Sequence, residues 1–462
     1  MTNYAAVAGT GGTAALTNQT TAGYSGNNFN RVTWSVATTS PSGGAKYTQT
    51  GLAAATQYSH QVWVRSSKAQ TVNLSAQYQN SSAVNVGAAV VSANVVLTAN
   101  VWTQLKVEGA TSGAAVDRVV LTAAAASAGV NWANTDTLDI DAVMIETGAT
   151  CGTYSDGSFV NANSIMYAWT GTANASTSTA KTYTPVIALV EKPTFDPCPR
   201  VEVTITDVTP TDNVVNVWRT ADGKRQAVRG ARKFAVNGSN FITDYEAPLG
   251  RSVAYDLEIT SGLNLGAGAT QQTVTVNAAS GCIQDPLVPS SAVPLYENAS
   301  PNGEPMLQGQ AISSLEYASG MNLMQVIGSP DPVALMGQRL SAANVDFSMV
   351  TAAAQQATTL RNLLKQAPLL LVRPLTSFGA SLPGLCYMAS AKPVEMPQFT
   401  RWDGTVTKWQ LSGDLVAAPT MNVLVPIWTY GTVAALWTTY QAAQTALAAK
   451  TYLDVLKSPS GT

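Results

Sequence analysis

The sequence predicts a mainly β, multidomain chain that ends in a mixed α+β region. Three observations carry this expectation. Segments such as "HQVWVRS" (60–66) alternate, with Val62 and Val64 on one face and Gln61, Trp63 and Arg65 on the other, the period of a half-buried strand. Gly-, Ser- and Asn-rich turns separate these segments at short intervals. A helical stripe, Leu360, Leu363 and Leu364 in "QQATTLRNLLKQ" (355–366), is found only in the last third.

At 462 residues the chain holds about three domains of ordinary size. Apolar residues make up 46%, enough for real cores, whereas charged residues make up only 11%, far below the roughly 25% of a typical soluble domain. Small neutral polar residues take their place, a composition suited to half-buried strands and interfaces. A formal charge of −2 leaves no electrostatic footprint for nucleic acid, and no polybasic run suggests anionic lipid. "MTNYAAVAGTGG" reads as lacking a secretion signal, and no apolar run reaches the ~18 residues of a membrane span. Cys151, Cys198, Cys282 and Cys386 have no zinc spacing and read as free thiols.

In chain order, "TVNLSAQY" (71–78), "WTQLKVEG" (102–109) and "DTLDIDAVMIETG" (136–148) are further strands of a first sandwich or barrel. The Ala-rich "TAAAASAG" (122–129) reads as a loop because glycine follows at once. "EKPTFDPCP" carries three prolines, which remove donors and stiffen the chain, so a linker or an edge segment over 171–200 and a domain boundary near 198 are expected. "RVEVTITDV", "VVNVWRT", "RSVAYDLEIT" and "QQTVTVNA" form a small second sandwich, with "ADGK" (221–224) as a turn. Beyond 281 come the 355–366 helix, ended by Pro368, a buried strand "PLLLVRPL", two more strands of one sheet in "LCYMASAKPVEM" and "TKWQLSGDLVAAP", and one long helix or two short ones over 432–457. The expected domains are 1–185, 198–280 and 281–462.

Sites for chemistry are few. His60 is the single histidine and sits in a strand, so a Ser–His–Asp or Cys–His arrangement could be built only around it. No Gly-rich phosphate loop opens a helix. Two carboxylate pairs, Asp244 with Glu246 and Asp139 with Asp141, stand at i, i+2, on one face of an extended segment. "TDYEAPLG" lies between two strands, and its Asp, Pro248 and Gly250 read as turn chemistry. No catalytic residue is therefore assigned, and the chain is expected not to be an enzyme. Asp139 and Asp141 read as solvent-face carboxylates, with a calcium site as the sharper reading; no other cofactor is expected. Trp34, Trp63, Tyr78, Trp102 and Trp132 could stack on a sugar ring or pack in a core. Trp63, Tyr78, Trp102 and Trp132 are carried forward as candidate carbohydrate contacts.

The succession "GLAAATQYSHQVWVRSS", "VWTQLKVEG" and "DTLDIDAVMIETGA" resembles the jelly roll of carbohydrate-binding modules. "TYSDGSFVNANSIMYAWTGTANASTST" resembles the segment that closes such modules in minor tail proteins of long-tailed phages of actinobacteria. "VNVWRTADGKRQAVRGA", "TDYEAPLGRSVAYDLEI" and "CIQDPLVP" are similar to the fibronectin type III-like domain of those proteins. "GSPDPVAL", "LLLVRP", "YMAS" and "KWQLSGDLVAAP" follow in the family's order. Modules of this class usually open with a strand whose glutamate helps hold calcium; "MTNYAAVAG" has none.

The resemblance implies a structural minor tail protein of a siphophage virion, assembled in the host cytoplasm. It implies an N-terminal jelly roll that contributes to attachment to host cell-wall glycan, and a C-terminal region that docks into the tail. Partners would be other tail proteins and further copies of the chain in a ring or trimer, with neither nucleic acid nor membrane insertion. The alternatives are a secreted glycan-active enzyme or an adhesin that carries a carbohydrate-binding module.

Overall fold

The computed structural model describes all residues except 1–2, 41, 127–131, 174–176, 310, 318, 320, 326, 329, 338–341, 377–381, 391, 399–404, 421–435, 438 and 451–462. The chain is mainly β and multidomain, and residues 1–159 and 160–462 form two compact units.

The first unit contains β1 (Tyr4–Val7), β2 (Thr13–Gln19), β3 (Phe29–Val36), β4 (Gly44–Thr50), β5 (Gln57–Ser66), β6 (Gln70–Gln79), β7 (Val90–Val91), β8 (Val95–Leu97), β9 (Thr103–Thr111), β10 (Arg118–Ala125) and β11 (Thr137–Thr147). One sheet runs β1-β4-β10-β6-β7, with β8 also on β6; the other runs β2-β3-β11-β5-β9. The chain changes sheet at seven of its ten connections, which is the path of a jelly roll. Alternation sends Val62, Val64, Val72, Leu74, Ala76, Val119, Leu121, Leu138 and Ile140 into one core between the sheets. Trp34 and Trp132 stack there with ring centroids 4.2 Å apart. Their indole N–H groups donate to the carbonyls of Ala8 and Gly43 at 2.9 and 3.0 Å.

The Ala-rich stretch is not a loop up to Ala125. Residues 118–125 are β10, paired with both β4 and β6. Ala123 and Ala125 face the core, where a short side chain lets neighbouring backbones approach. Of the remainder, residues 127–129 lie outside the described residues.

His60 is fully buried. Its Nε2 lies 2.9 Å from the Tyr78 hydroxyl, which is 3.1 Å from the Ala110 carbonyl. A carbonyl only accepts, so Tyr78 donates to Ala110 and the imidazole donates Nε2–H to Tyr78. Nδ1 then has no partner, and burial holds the imidazole pKa down at about 4. Below pH ~6.5 the unfolded chain takes up a proton that the folded chain refuses until about pH 4. This contribution to stability is complete above pH ~6.5 and is lost as pH falls, to a limit of about 3 kcal/mol. Because His60 is the only histidine, the His60→Gln chain should lose less stability than the wild type between pH 6.5 and 4. Parallel urea midpoints for the two chains across that window would refute the assignment.

The second unit opens with a hairpin, Ile165–Trp169 with Ser178–Thr182. A sandwich follows. Val186–Lys192, Arg200–Thr206 and Asn240–Asp244 form one sheet. The other is built on Asn213–Ala221, flanked by Lys224–Ala227 and Ser252–Ser261, with Gln272–Thr275 beyond. Phe234–Val236 also pairs with Asn213–Ala221, so a three-stranded sheet faces a five-stranded one. The proline-rich 193–199 segment joins two paired strands, so of the two readings, linker or edge segment, Val186–Lys192 is the edge strand of the sandwich. Asp222 and Gly223, both with positive φ (49° and 71°), make the two-residue turn that matches strand twist.

A six-stranded sheet, a four-stranded sheet and a two-stranded ribbon, Met321–Met324 with Val333–Met336, follow in this unit. Helix α1 (Ala354–Gln366) buries Ala357, Leu360 and Leu363 against Val293, Leu370, Val372 and Trp409. The buried strand lies at Leu370–Arg373. The four short strands Cys386–Ala389, Val394–Pro397, Thr407–Gln410 and Ser412–Leu415 divide between the two sheets and do not share one. Of the helix expected over 432–457, Tyr440–Leu447 is helical, here α2, capped by Thr439, whose hydroxyl accepts from the Ala442 N–H at 3.2 Å. Residues 432–435, 438 and 451–457 lie outside the described residues. Among the described residues no helix is long and apolar enough to cross a membrane, and the four cysteines are free.

Candidate functional site: an aromatic groove on the outer face of the first unit

The sheet β2-β3-β11-β5-β9 presents its outer face through Arg31 on β3, Asp139 and Asp141 on β11, Gln61, Trp63 and Arg65 on β5, and Gln104 and Lys106 on β9. Antiparallel register sets Asp139 between Arg31 and Arg65, and Asp141 opposite Trp63. The face divides into a closed half and an open half.

The closed half centres on Asp139, which is buried. Arg31 Nε and Nη2 donate to its two oxygens at 2.6 and 2.9 Å, and Arg65 Nε donates at 2.9 Å. The Arg65 guanidinium lies over the rings of Phe29 and Trp102, 5.0 and 4.6 Å from their centroids. Cations stacked on rings and paired to a buried carboxylate form a sealed cluster.

The open half is a groove of about 630 Å³ lined by Tyr24, Trp63, Gln104, Lys106, Tyr154 and Phe159 with the 151–153 backbone. Tyr24 stacks on Trp63 with centroids 3.7 Å apart and planes 11° from parallel. Tyr154 stands edge-on to Tyr24 at 6.5 Å, and Phe159 edge-on to Tyr154 at 6.1 Å. Tyr24 keeps 40% of its surface exposed and Phe159 38%, so flat apolar faces meet solvent inside a concavity. Around them, Gln104 donates to Gln61, and Gln61 donates to the Gly152 carbonyl at 3.2 Å.

Two acidic residues anchor the loop that carries Tyr154 and Phe159. Glu108 accepts from the Cys151 N–H at 2.9 Å, and Glu146 accepts from the Gly152 N–H. Asp141 anchors the other wall: it accepts from the Tyr24 and Ser25 N–H groups at 2.8 and 3.0 Å, and from its neighbour Ala142 at 2.8 Å. A Cβ on Gly23 would fall 2.5 Å from Asp141 Oδ2, so this anchoring requires glycine there. Burial pushes the Asp141 carboxyl above its ordinary value against the pull of those three N–H groups. Burial likewise pushes the Cys151 thiol up to about 11, which keeps it neutral and unreactive.

The sequence-derived candidates thus separate. Trp63 lines the groove, while Trp102 belongs to the closed half beside Arg65. Tyr78 and Trp132 are corrected: both are buried in the core, Tyr78 because it shares the inward face of β6 with Val72, Leu74 and Ala76, and Trp132 because it stacks on Trp34. The calcium reading is corrected as well. The oxygens of Asp139 are taken by two guanidinium groups and those of Asp141 by backbone N–H groups. Among the described residues no group of three His, Cys, Asp or Glu side chains could hold a metal ion. Tyr24, Tyr154 and Phe159 escaped sequence reasoning because they lie between strands, where no periodicity marks them. One signal was present: "YSGNNF" (24–29) and "YSDGSF" (154–159) share a Tyr-Ser-x-x-x-Phe pattern.

Asp244 and Glu246 lie in the second unit and are buried. Arg219 Nη1 donates to both Asp244 oxygens at 2.7 and 2.8 Å, and the Tyr255 hydroxyl donates at 2.8 Å. Glu246 accepts from Arg229 Nε at 2.8 Å and from the Tyr387 hydroxyl at 3.0 Å. Asp244 ends its strand and Glu246 sits in the turn that follows, as the turn chemistry implied, and both carboxylates tie strands together.

No family model and no curated protein matches the sequence. Among solved structures, similarity is found to N-terminal endo-1,4-β-D-xylanase modules of Clostridium thermocellum complexed with xylohexaose, at 19% identity and TM-score 0.25 over 31% of this chain. The match spans 26% of that chain. The C-terminal family 22 carbohydrate-binding module of the same enzyme is similar at 14% identity and TM-score 0.25, over 32% of this chain and 89% of that one. An enzymatically active domain of tailspike protein 4 of bacteriophage CBA120 is similar at 11% identity and TM-score 0.24, over 31% of this chain and 19% of that one. At these scores the likenesses carry no weight on binding, and what the groove can hold follows from its own residues.

Proposed function

We propose that the chain is a structural minor tail protein of a siphophage virion, and that its first unit attaches the particle to host cell-wall glycan without cleaving it. The observation that carries the binding part is the groove itself. Parallel Tyr24 and Trp63 rings, an edge-on Tyr154 and flanking amide groups offer apolar faces for sugar C–H groups and partners for hydroxyls. Among the described residues the lining holds no carboxylate, so the acid and base of glycoside hydrolysis are missing from it, and this supports binding without turnover. The virion part is supported by the order of motifs along the chain and by a composition poor in charge, as in obligate assemblies.

Binding is tested with the purified chain and soluble cell-wall polysaccharide, by affinity electrophoresis or calorimetry. Trp63→Ala and Tyr24→Ala should each weaken binding about tenfold, the loss of roughly 1.4 kcal/mol of stacking and burial. Wild-type retardation in both variants would remove the groove from consideration. Released reducing sugar would contradict binding without turnover. The virion assignment is tested separately, by antibody labelling of purified particles; label absent from the tail would overturn it.

A further inference from the structure

Met321–Met324 pairs with Val333–Met336 in a two-stranded ribbon that no third strand joins among the described residues. Register pairs Met321 with Met336 and Leu323 with Ala334 on one face, and Asn322 with Leu335 and Met324 with Val333 on the other. Both faces are therefore apolar. Met321, Leu323, Met324, Val333, Leu335 and Met336 each keep more than half of their surface exposed, and Ile327 at the turn keeps all of it. The sandwich sheets and the six-stranded sheet of the same unit, by contrast, all contribute buried apolar side chains to a core. An isolated hairpin is marginal in water, and two free edges flanked by apolar side chains invite pairing.

The root of this ribbon is fixed. The Ala343 N–H donates to the Glu316 carbonyl at 2.7 Å, and the Ile312 N–H donates to the Asp346 carbonyl at 2.8 Å. Val345–Asp346 is in turn an edge of the six-stranded sheet. A hydrogen-bonded root together with an uncovered apolar ribbon is the construction of an assembly arm.

We propose that this ribbon is such an arm and that its occupant is a second copy of this chain. Asp331 is the one charged residue between Met321 and Met336, so the surface has no charge pattern with which to select a foreign partner. Charge-free, Met- and Leu-rich surface is the composition of an obligate contact between identical subunits. In a closed symmetric assembly every copy supplies one arm and receives one, so none is left bare. The area fits: seven large side chains at half exposure or more approach the roughly 800 Å² that each partner contributes to a standard interface. The inference is independent of the glycan groove, which lies in the other unit.

The test is sedimentation velocity of the full chain over a range of concentrations. The wild type should associate reversibly. Leu323→Glu with Leu335→Glu, one charge on each face, should raise the apparent dissociation constant at least tenfold, and Met324→Lys alone should raise it measurably. These side chains are exposed, so an unchanged circular dichroism spectrum and an unchanged urea midpoint would certify the fold. A wild type that stays monomeric at every concentration would overturn the proposal. So would association that both ribbon variants leave unchanged.

Discussion

Replacing Asp244 by Ala is expected to destabilise the second unit by about 3–5 kcal/mol, the scale for breaking a buried ion pair by removing one partner. Arg219 is almost wholly buried, and its guanidinium spans Asp244 and, at 3.8 Å, Glu246. Without Asp244 the cation keeps only the more distant carboxylate, and the Tyr255 hydroxyl loses its acceptor. Burial already pushes the Tyr255 phenol far above its ordinary value, so ionisation offers no relief. Adding Arg219→Met to Asp244→Ala should recover much of the loss, because removing both charges removes the unpaired cation. Urea unfolding of the three chains measures this cycle. A single variant within about 0.5 kcal/mol of wild type, the range of ordinary surface substitutions, would show that the network contributes little.

A comparable loss, about 3–5 kcal/mol, is expected for Trp132→Ala in the first unit. Trp132 is fully buried, stacks on an equally buried Trp34, and donates to the Gly43 carbonyl. Truncation leaves a cavity of indole size and a tryptophan with one bare face, although the Gly43 carbonyl still accepts from the Ala125 N–H. Trp63→Ala removes an indole of the same volume from a half-open groove and should cost the fold far less while costing binding more. The pair separates core tryptophan from ligand tryptophan by measurement. If Trp132→Ala melted with the wild type and lost glycan binding instead, the assignments would be reversed.

Much of this division was legible in the sequence, though unevenly. The alternation in "HQVWVRS" placed Val62 and Val64 inward and Trp63 outward, as found. The same rule applied to β6 puts Tyr78 in phase with Val72, Leu74 and Ala76, so its burial was readable. The leucine stripe of 355–366 located α1 to within one residue. What could not be read depends on contacts distant in the chain. Asp139 looks like a solvent-face carboxylate until Arg31 and Arg65 arrive from two neighbouring strands. Asp244 and Glu246 look like turn residues because Arg219, Arg229 and Tyr387, which enclose them, lie on other elements. Ala123–Ala125 lacked a strand signal because alanine carries little β preference and pairs here between two strands that demand small side chains. Trp132 stands outside any periodic segment, so nothing local told its role from that of Trp63.

Arg373 gives the second unit an order of events. It is wholly buried, and its guanidinium donates to the Pro199 and Ala247 carbonyls and to Gln284, closing the base of a sandwich whose last core strand ends about a hundred residues earlier. On a ribosome adding about 5–20 residues per second, that interval is on the order of ten seconds. The first unit, complete within 159 residues, can settle as it emerges. The sandwich must wait without the donor for its Pro199 and Ala247 carbonyls until the strand carrying Arg373 leaves the exit tunnel. Its window of exposure to chaperones and proteases is therefore set by a residue outside it, and a domain cut at 280 would carry that window permanently.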